Sequence, residues 1–160
     1  MREGTVRLER TVRHGSGELR GVKTLHAESR GDIWQLECSA ALSSDRALGE
    51  SALGMELVLN LLAPDAPDRY FEANGERHPL EFKGQIISPE LRVTDEWQRV
   101  ECVLTADPAP RWWIVPIETI SQSESGFERV YQGSAIMAVW RLPSAARDFR
   151  SKLTMITRRL

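Results

Sequence analysis

Residues 32–42, DIWQLECSAAL, decide the fold. Trp34, Leu36, Cys38, Ala40 and Leu42 alternate with Gln35, Glu37, Ser39 and Ala41, a period of two that sends each set to one face of an extended strand. The run at 19–28 precedes it, and Arg30-Gly31-Asp32 between them holds residues suited to a tight turn. The unit is strand, turn, strand.

The same pattern recurs at 5–10, 55–62, 69–73, 85–87, 99–106, 111–119 and 129–142, which makes nine strands with the first pair. His14-Gly15-Ser16-Gly17, Asn74-Gly75 and Ser125-Gly126 supply further turns, of which Asn-Gly is the clearest hairpin signal. Residues 63–68, APDAPD, cannot donate many ladder hydrogen bonds and form a surface loop. Residues 43–54 hold enough glycine to favour a loop over a short helix. Near the C-terminus Phe149, Leu153, Ile156 and Leu160 share a helical face, whereas Leu153, Met155 and Thr157 alternate; the β-branched Thr154, Ile156 and Thr157 favour a strand. Many short strands with turns between them predict an all-β, antiparallel sandwich. No linker, repeat or low-complexity tract breaks the chain, so residues 1–160 are expected to form one domain.

The 21 basic and 23 acidic residues nearly cancel, for a formal charge of −2. No general attraction to nucleic acid or to an anionic membrane is expected. No run approaches the roughly 20 apolar residues of a membrane span, and MREGTVRLER lacks the apolar centre of a signal peptide. A cytoplasmic chain is expected, with Cys38 and Cys102 reduced in the core because neither has the spacing of a metal ligand or redox pair. Neither a cofactor nor a metal is expected.

Chemistry-bearing motifs are few. There is no G-x-S-x-G elbow, phosphate loop or H-E-x-x-H pair, and His14, His26 and His78 are far apart. Glu118, Glu124 and Glu128 fall within 11 residues. Glycoside hydrolysis needs two facing carboxylates, but acids this dense are ordinary on a solvated turn, where Glu118 and Glu128 would fix the loop by hydrogen bonds.

The five tryptophans are more informative, because a sugar ring stacks its C–H face on an indole. Trp112 and Trp113 are adjacent, so on an extended strand only one of them enters the core; the pattern leaves open which. The other is a carbohydrate platform, an interface residue or capped by a loop. Trp34, Trp97 and Trp140 lie in or beside strand patterns and are expected in the core. Tyr70 and Phe71, beside Asp68 and Arg69, split across two faces, and one of them is a candidate for a surface site.

Residues 116–133 read PIETISQSESGFERVYQG, denser in polar and turn residues than strand composition explains. The run resembles the closing segment of the C-terminal domain of 4-α-glucanotransferases and related α-amylases of glycoside hydrolase family 57, written P-x-E-T-x-S-x-S-E-x-G-F-E-x-x-Y-Q-G. Residues 53–75, LGMELVLNLLAPDAPDRYFEANG, with Glu56 and Asn60, and residues 21–42, with Lys23, are similar to two earlier blocks of that domain. The resemblance implies a β-sandwich related to galactose mutarotase, packed in full-length enzymes on a (β/α) barrel that carries both catalytic carboxylates.

Three readings follow. In the first, an accessory domain binds α-glucan or maltooligosaccharide, or shapes the mouth of a barrel partner, through Trp112 or Trp113, Glu118, Ser123, Glu124, Glu128, Tyr131 and Gln132, with Tyr70, Asp68 and Arg69 as further candidates. In the second, the polar hairpin is an interface for a catalytic barrel or a second copy. The third is a small sugar-processing enzyme, in which one of the glutamates must meet His26 or His78 in a concave pocket.

Overall fold

The computed structural model describes residues 2–14, 17–123 and 126–160, with Arg2, His14 and Ser123 described by their backbone alone. Twelve strands lie among them: β1 (Arg2–His14), β2 (Gly17–Arg30), β3 (Ile33–Ser44), β4 (Ala52–Leu59), β5 (Arg69–Ala73), β6 (Glu76–Pro79), β7 (Gly84–Ile87), β8 (Glu90–Asp95), β9 (Val100–Asp107), β10 (Arg111–Ser123), β11 (Gly126–Arg141) and β12 (Asp148–Arg159). Every pairing is antiparallel. They form an eight-stranded sheet, β1-β2-β3-β12-β9-β8-β5-β6, and a four-stranded sheet, β4-β11-β10-β7.

The alternation in residues 32–42 sets the layers. Cys38 pairs with Leu153 across β3 and β12, and both are buried. On the four-stranded sheet Met55, Trp112, Ile114, Ile136, Ala138 and Trp140 turn inward to meet them, with Phe71, Leu91, Val93 and Leu104 from the far half of the larger sheet. Burial of this apolar set supplies most of the driving force for the fold. The buried indoles keep their donors satisfied: Trp112 Nε1 donates to the Ser88 carbonyl at 2.9 Å and Trp140 Nε1 to that of Pro108 at 2.6 Å.

Several expectations hold. Gly31-Asp32 is a two-residue turn, Asn74 and Gly75 have φ of 54° and 79°, the loop at 63–68 is a loop, and the C-terminal segment is a strand. Residues 45–51 connect β3 to β4 without a helix. The turn at His14-Gly15-Ser16-Gly17 and the start of Ser125-Gly126 lie outside the described residues. Twelve strands replace nine: β12 resolves the ambiguous terminus, and β6 and β8 are additional. β6 is four residues long, and β8 carries Glu90 and Arg92 in ion pairs where the pattern reads as a charged connection.

Two indoles depart from expectation. Trp34 shares the inward face of β3 with Leu36 and Cys38, but it stands near the strand's end and is exposed. Trp97 lies in the turn after β8 and is also exposed. Alternation tells which face a side chain takes, not whether anything covers it.

Candidate functional site

Strand β10 separates the two adjacent indoles as its geometry requires. Trp112 is 0 % exposed and points into the core; Trp113 points to the outer face of the four-stranded sheet and is 42 % exposed. Register places Met137 and Gln85 beside Trp113, and Val139 and Ile87 beside Arg111, on that same outer face. Arg111 Nη1 donates to Gln85 Oε1 at 3.2 Å. Trp113, Gln85, Arg111, Arg141, Ile87 and Pro108 line an open cleft of ≈ 390 Å³. One apolar ring face beside two guanidinium groups and an amide is the arrangement that a sugar's C–H face and hydroxyls can use together.

The hairpin singled out by sequence is elsewhere. Glu118 is five residues from Trp113, roughly 17 Å along an extended strand. At 117–122 and 126–130 both faces of the β10–β11 ribbon are exposed, with Ile120 and Phe127 open to solvent. Glu118 is held by Arg129 at 3.3 Å, and Gln132 Nε2 donates to Thr119 Oγ1 at 3.1 Å. Tyr131 reaches back to the core: its hydroxyl lies 2.7 Å from Ser134 Oγ, which donates to the Leu80 carbonyl at 3.1 Å. Burial pushes the Tyr131 phenol up, against the opposing effect of Ser134. Glu128 is exposed and pairs in register with Ser121. Glu124 and the side chain of Ser123 lie outside the described residues.

The third group of candidates is structural in its contacts. Arg69 is buried against Asp95, with Nε 3.2 Å from Oδ2, and Asp95 also accepts the Gln98 amide at 2.7 Å. Tyr70 and Phe71 do take opposite faces, yet neither is open. Tyr70 is covered by the Arg77 guanidinium 3.9 Å from its ring centroid and donates to Glu96 at 3.0 Å. Its phenol is raised, first by burial and then by Glu96. Asp68 caps the same corner, its carbonyl accepting the Glu96 amide at 2.9 Å.

Among the described residues, no hydrogen bond or ion pair joins Glu118 to His26 or His78. His26, bonded to Thr5 at 2.9 Å, faces outward from the eight-stranded sheet, away from the sheet that carries Glu118 and Glu128. His78 packs on Phe82 with centroids 4.5 Å apart. Sequence reading missed one group of metal-ligand type: Glu3, His26 and Glu28 bring ligand atoms within 4.8 Å. The register Glu3↔Glu28 assembles it, and spacing along the chain does not show it. It also missed Gln85 and Arg141 around Trp113, which only strand pairing joins to β10, and Arg111, which alternation within β10 places on the same face.

Comparison with known proteins places these features in a lineage. The family described as alpha-amylase/4-alpha-glucanotransferase, C-terminal, matches residues 4–155. Alpha-amylase 1 of Dictyoglomus thermophilum is 38 % identical over an alignment of 96 residues that covers 56 % of this chain and 13 % of that protein. The structure of 4-alpha-glucanotransferase from Thermococcus litoralis superposes with a TM-score of 0.63 at 17 % identity, covering 98 % of this chain and 21 % of the other. A putative aldose 1-epimerase from Escherichia coli K12 gives 0.65 at 11 % identity, covering 98 % and 66 %. The last two are likenesses of fold, and together they establish a mutarotase-like antiparallel sandwich. The chain spans about an eighth of the amylase and about a fifth of the glucanotransferase. With nearly its whole length matched, this chain belongs to the family of alpha-amylase/4-alpha-glucanotransferase C-terminal domains.

Proposed function

We propose that this domain serves an α-glucan-acting enzyme as a non-catalytic part that holds a stretch of glucan at the Trp113 cleft and stands beside a separate catalytic portion. One observation carries the glucan half: Trp113 leaves its indole half-open on a sheet face, with Arg111, Gln85 and Arg141 around it. A rigid strand presents the ring, so little side-chain order is lost on binding. The two guanidinium groups donate only, which suits the oxygen acceptors of a neutral sugar. Membership of a C-terminal domain family, and relatives several times longer than this chain, support the second half.

Isothermal titration with maltoheptaose tests the cleft. Binding is expected in the full chain, and Trp113→Ala is expected to weaken it at least about tenfold, or about 1.4 kcal/mol. Absence of heat at millimolar sugar, or unchanged affinity in Trp113→Ala, contradicts the assignment. Ile120→Ser, in the ribbon, is expected to bind as the parent does; a loss there would move the site to the hairpin.

A further inference from the structure

Among the described residues four strand edges end the two sheets: β1 and β6 on the larger, β4 and β7 on the smaller. β6 and β7 are four residues each, β6 closes on Pro79, and β4 has eight residues. β1 has 13, contains no proline, and holds one register with β2 from Arg2 to His14 without a bulge. Folded proteins blunt open edges by keeping them short, bulged or interrupted by proline, and a long flat edge is a template for another strand. β1 is the edge left unblunted.

The two faces of β1 differ. Odd-numbered residues look outward: Thr5 lies 2.9 Å from His26, and Glu9 pairs with Arg7 at 3.1 Å and with Arg20 at 2.7 Å. Even-numbered residues look inward, where Val6 and Leu8 are 53 % and 54 % exposed and Val12 is open as well. Glu3 and Arg13 stand near the two ends of the outward row, and neither has an ion pair among the described residues. Glu3 is opposed on β2 by Glu28, a like charge.

The sequence of this edge is complementary to itself. Around a two-fold axis β1 meets its own reverse, and the faces match only where odd residues oppose odd ones. With Leu8 on the axis, Arg7 opposes the partner's Glu9 and Glu3 opposes the partner's Arg13, so each of these pairs forms twice, and Thr5 opposes the partner's Thr11. Moving the axis to Arg7 or to Glu9 sets that residue against itself. A further step, to Val6 or to Arg10, opposes Glu3 to the partner's Glu9 or Arg7 to the partner's Arg13. Of these registers, the one at Leu8 alone matches charge along the strand.

We infer that this chain pairs with a second copy of itself, edge to edge along β1 with Leu8 against the partner's Leu8, joining the two eight-stranded sheets into one. On the inward side the paired strands set Leu8 beside its copy and lay the stem of Arg10 along the partner's Val6, covering apolar surface that one chain leaves open. On the outward side the partner's Arg13 offsets the repulsion between Glu3 and Glu28. Trp113 lies on the outer face of the four-stranded sheet, so the pairing does not use it.

Sedimentation equilibrium of the full 160-residue chain at about 100 µM is expected to give twice the mass of one chain. Glu3→Arg and Arg13→Glu, both at exposed positions without ion pairs, are each expected to weaken the dimer at least about tenfold by opposing like charges. An equimolar mixture of these two variants is expected to dimerise as the parent does, because the paired edges are then complementary again; the same result shows that both variants fold. Register is read by oxidation with copper phenanthroline. A Leu8→Cys chain is expected to cross-link to its copy, since opposed strand residues have Cα atoms about 4.5–5.5 Å apart, within disulfide reach. Val6→Cys and Arg10→Cys are each expected to cross-link poorly alone and well when mixed, and the parent, with Cys38 and Cys102 free, not at all. A monomer at this concentration, a dimer indifferent to both charge variants, or a Leu8→Cys chain that cross-links no better than Val6→Cys would overturn the inference. Maltoheptaose binding at Trp113 is measured separately, so either assignment can fail without the other.

Discussion

Trp112 and Trp113 differ by one position and by nearly everything else. Trp112 fills the core and donates its N–H to Ser88; Trp113 faces solvent beside two arginines. Trp112→Ala is expected to lower stability by about 3–5 kcal/mol, the range for a large buried aromatic, as read by chemical denaturation. Trp113→Ala should change it by less than about 1 kcal/mol. Equal costs would show that the indoles are not divided between core and surface. The sequence shows that the pair must split but not which way, because that depends on which sheet faces β10.

The cysteines allow a prediction about pH at the same scale. Burial pushes the Cys38 thiol up, with Lys23 opposing it, and burial pushes Cys102 up, with a Thr157 hydrogen bond at 3.3 Å opposing it. A raised folded pKa means that the folded chain holds its proton where the unfolded chain, near about 8.5, has begun to lose it. Stability therefore falls as pH rises through the thiol range, and is unaffected by these groups below it. Urea midpoints at pH 7 and pH 9.5 check this against Cys38→Ala/Cys102→Ala, in which this part of the decline should vanish. The native thiols should also react with iodoacetamide far more slowly than the unfolded ones.

Among the elements, the β10–β11 ribbon shows how a specific sequence can be conspicuous without marking the cleft. Its residues fold it: Glu118 with Arg129, Gln132 with Thr119, Tyr131 with Ser134. A bulge between Ile117 and Glu118 changes its register where it leaves the sandwich. Opposite stands Gly133, where an added Cβ would lie 2.8 Å from the Leu59 carbonyl oxygen. Gly133→Ala is expected to cost about 1–3 kcal/mol through this backbone clash, measurable as a lower denaturation midpoint. A neutral effect would mean that β4 and β11 have room to separate. Strand existence was legible from alternation across most of the chain. β6 and β8 were not, because a strand of four residues carries little periodicity and ion pairs disguise a half-buried one.

Across the whole molecule, the sequence reached the architecture and the lineage more readily than the site. Alternation depends on neighbours in the chain and sets Arg111 on the face of Trp113 within β10, whereas Gln85 from β7 and Arg141 from β11 join that cleft only through register. The uneven sheets were likewise hidden, since Val6 and Leu8 read as ordinary inward residues until their cover is seen to be missing. The resemblance of residues 116–133 led to the right family, but it directed attention to the ribbon rather than to the face beside it.

The most direct test of glucan binding at this face uses the tryptophan indole N–H signals in a ¹H–¹⁵N spectrum of the full chain during titration with maltoheptaose. The account predicts that the Trp113 signal, assigned by its loss in Trp113→Ala, moves with saturable dependence on sugar. The Trp112 signal, whose proton is held by the carbonyl of Ser88 in the core, should stay in place. A stationary Trp113 signal at saturating sugar, or movement only of Trp34 or Trp97, would contradict it.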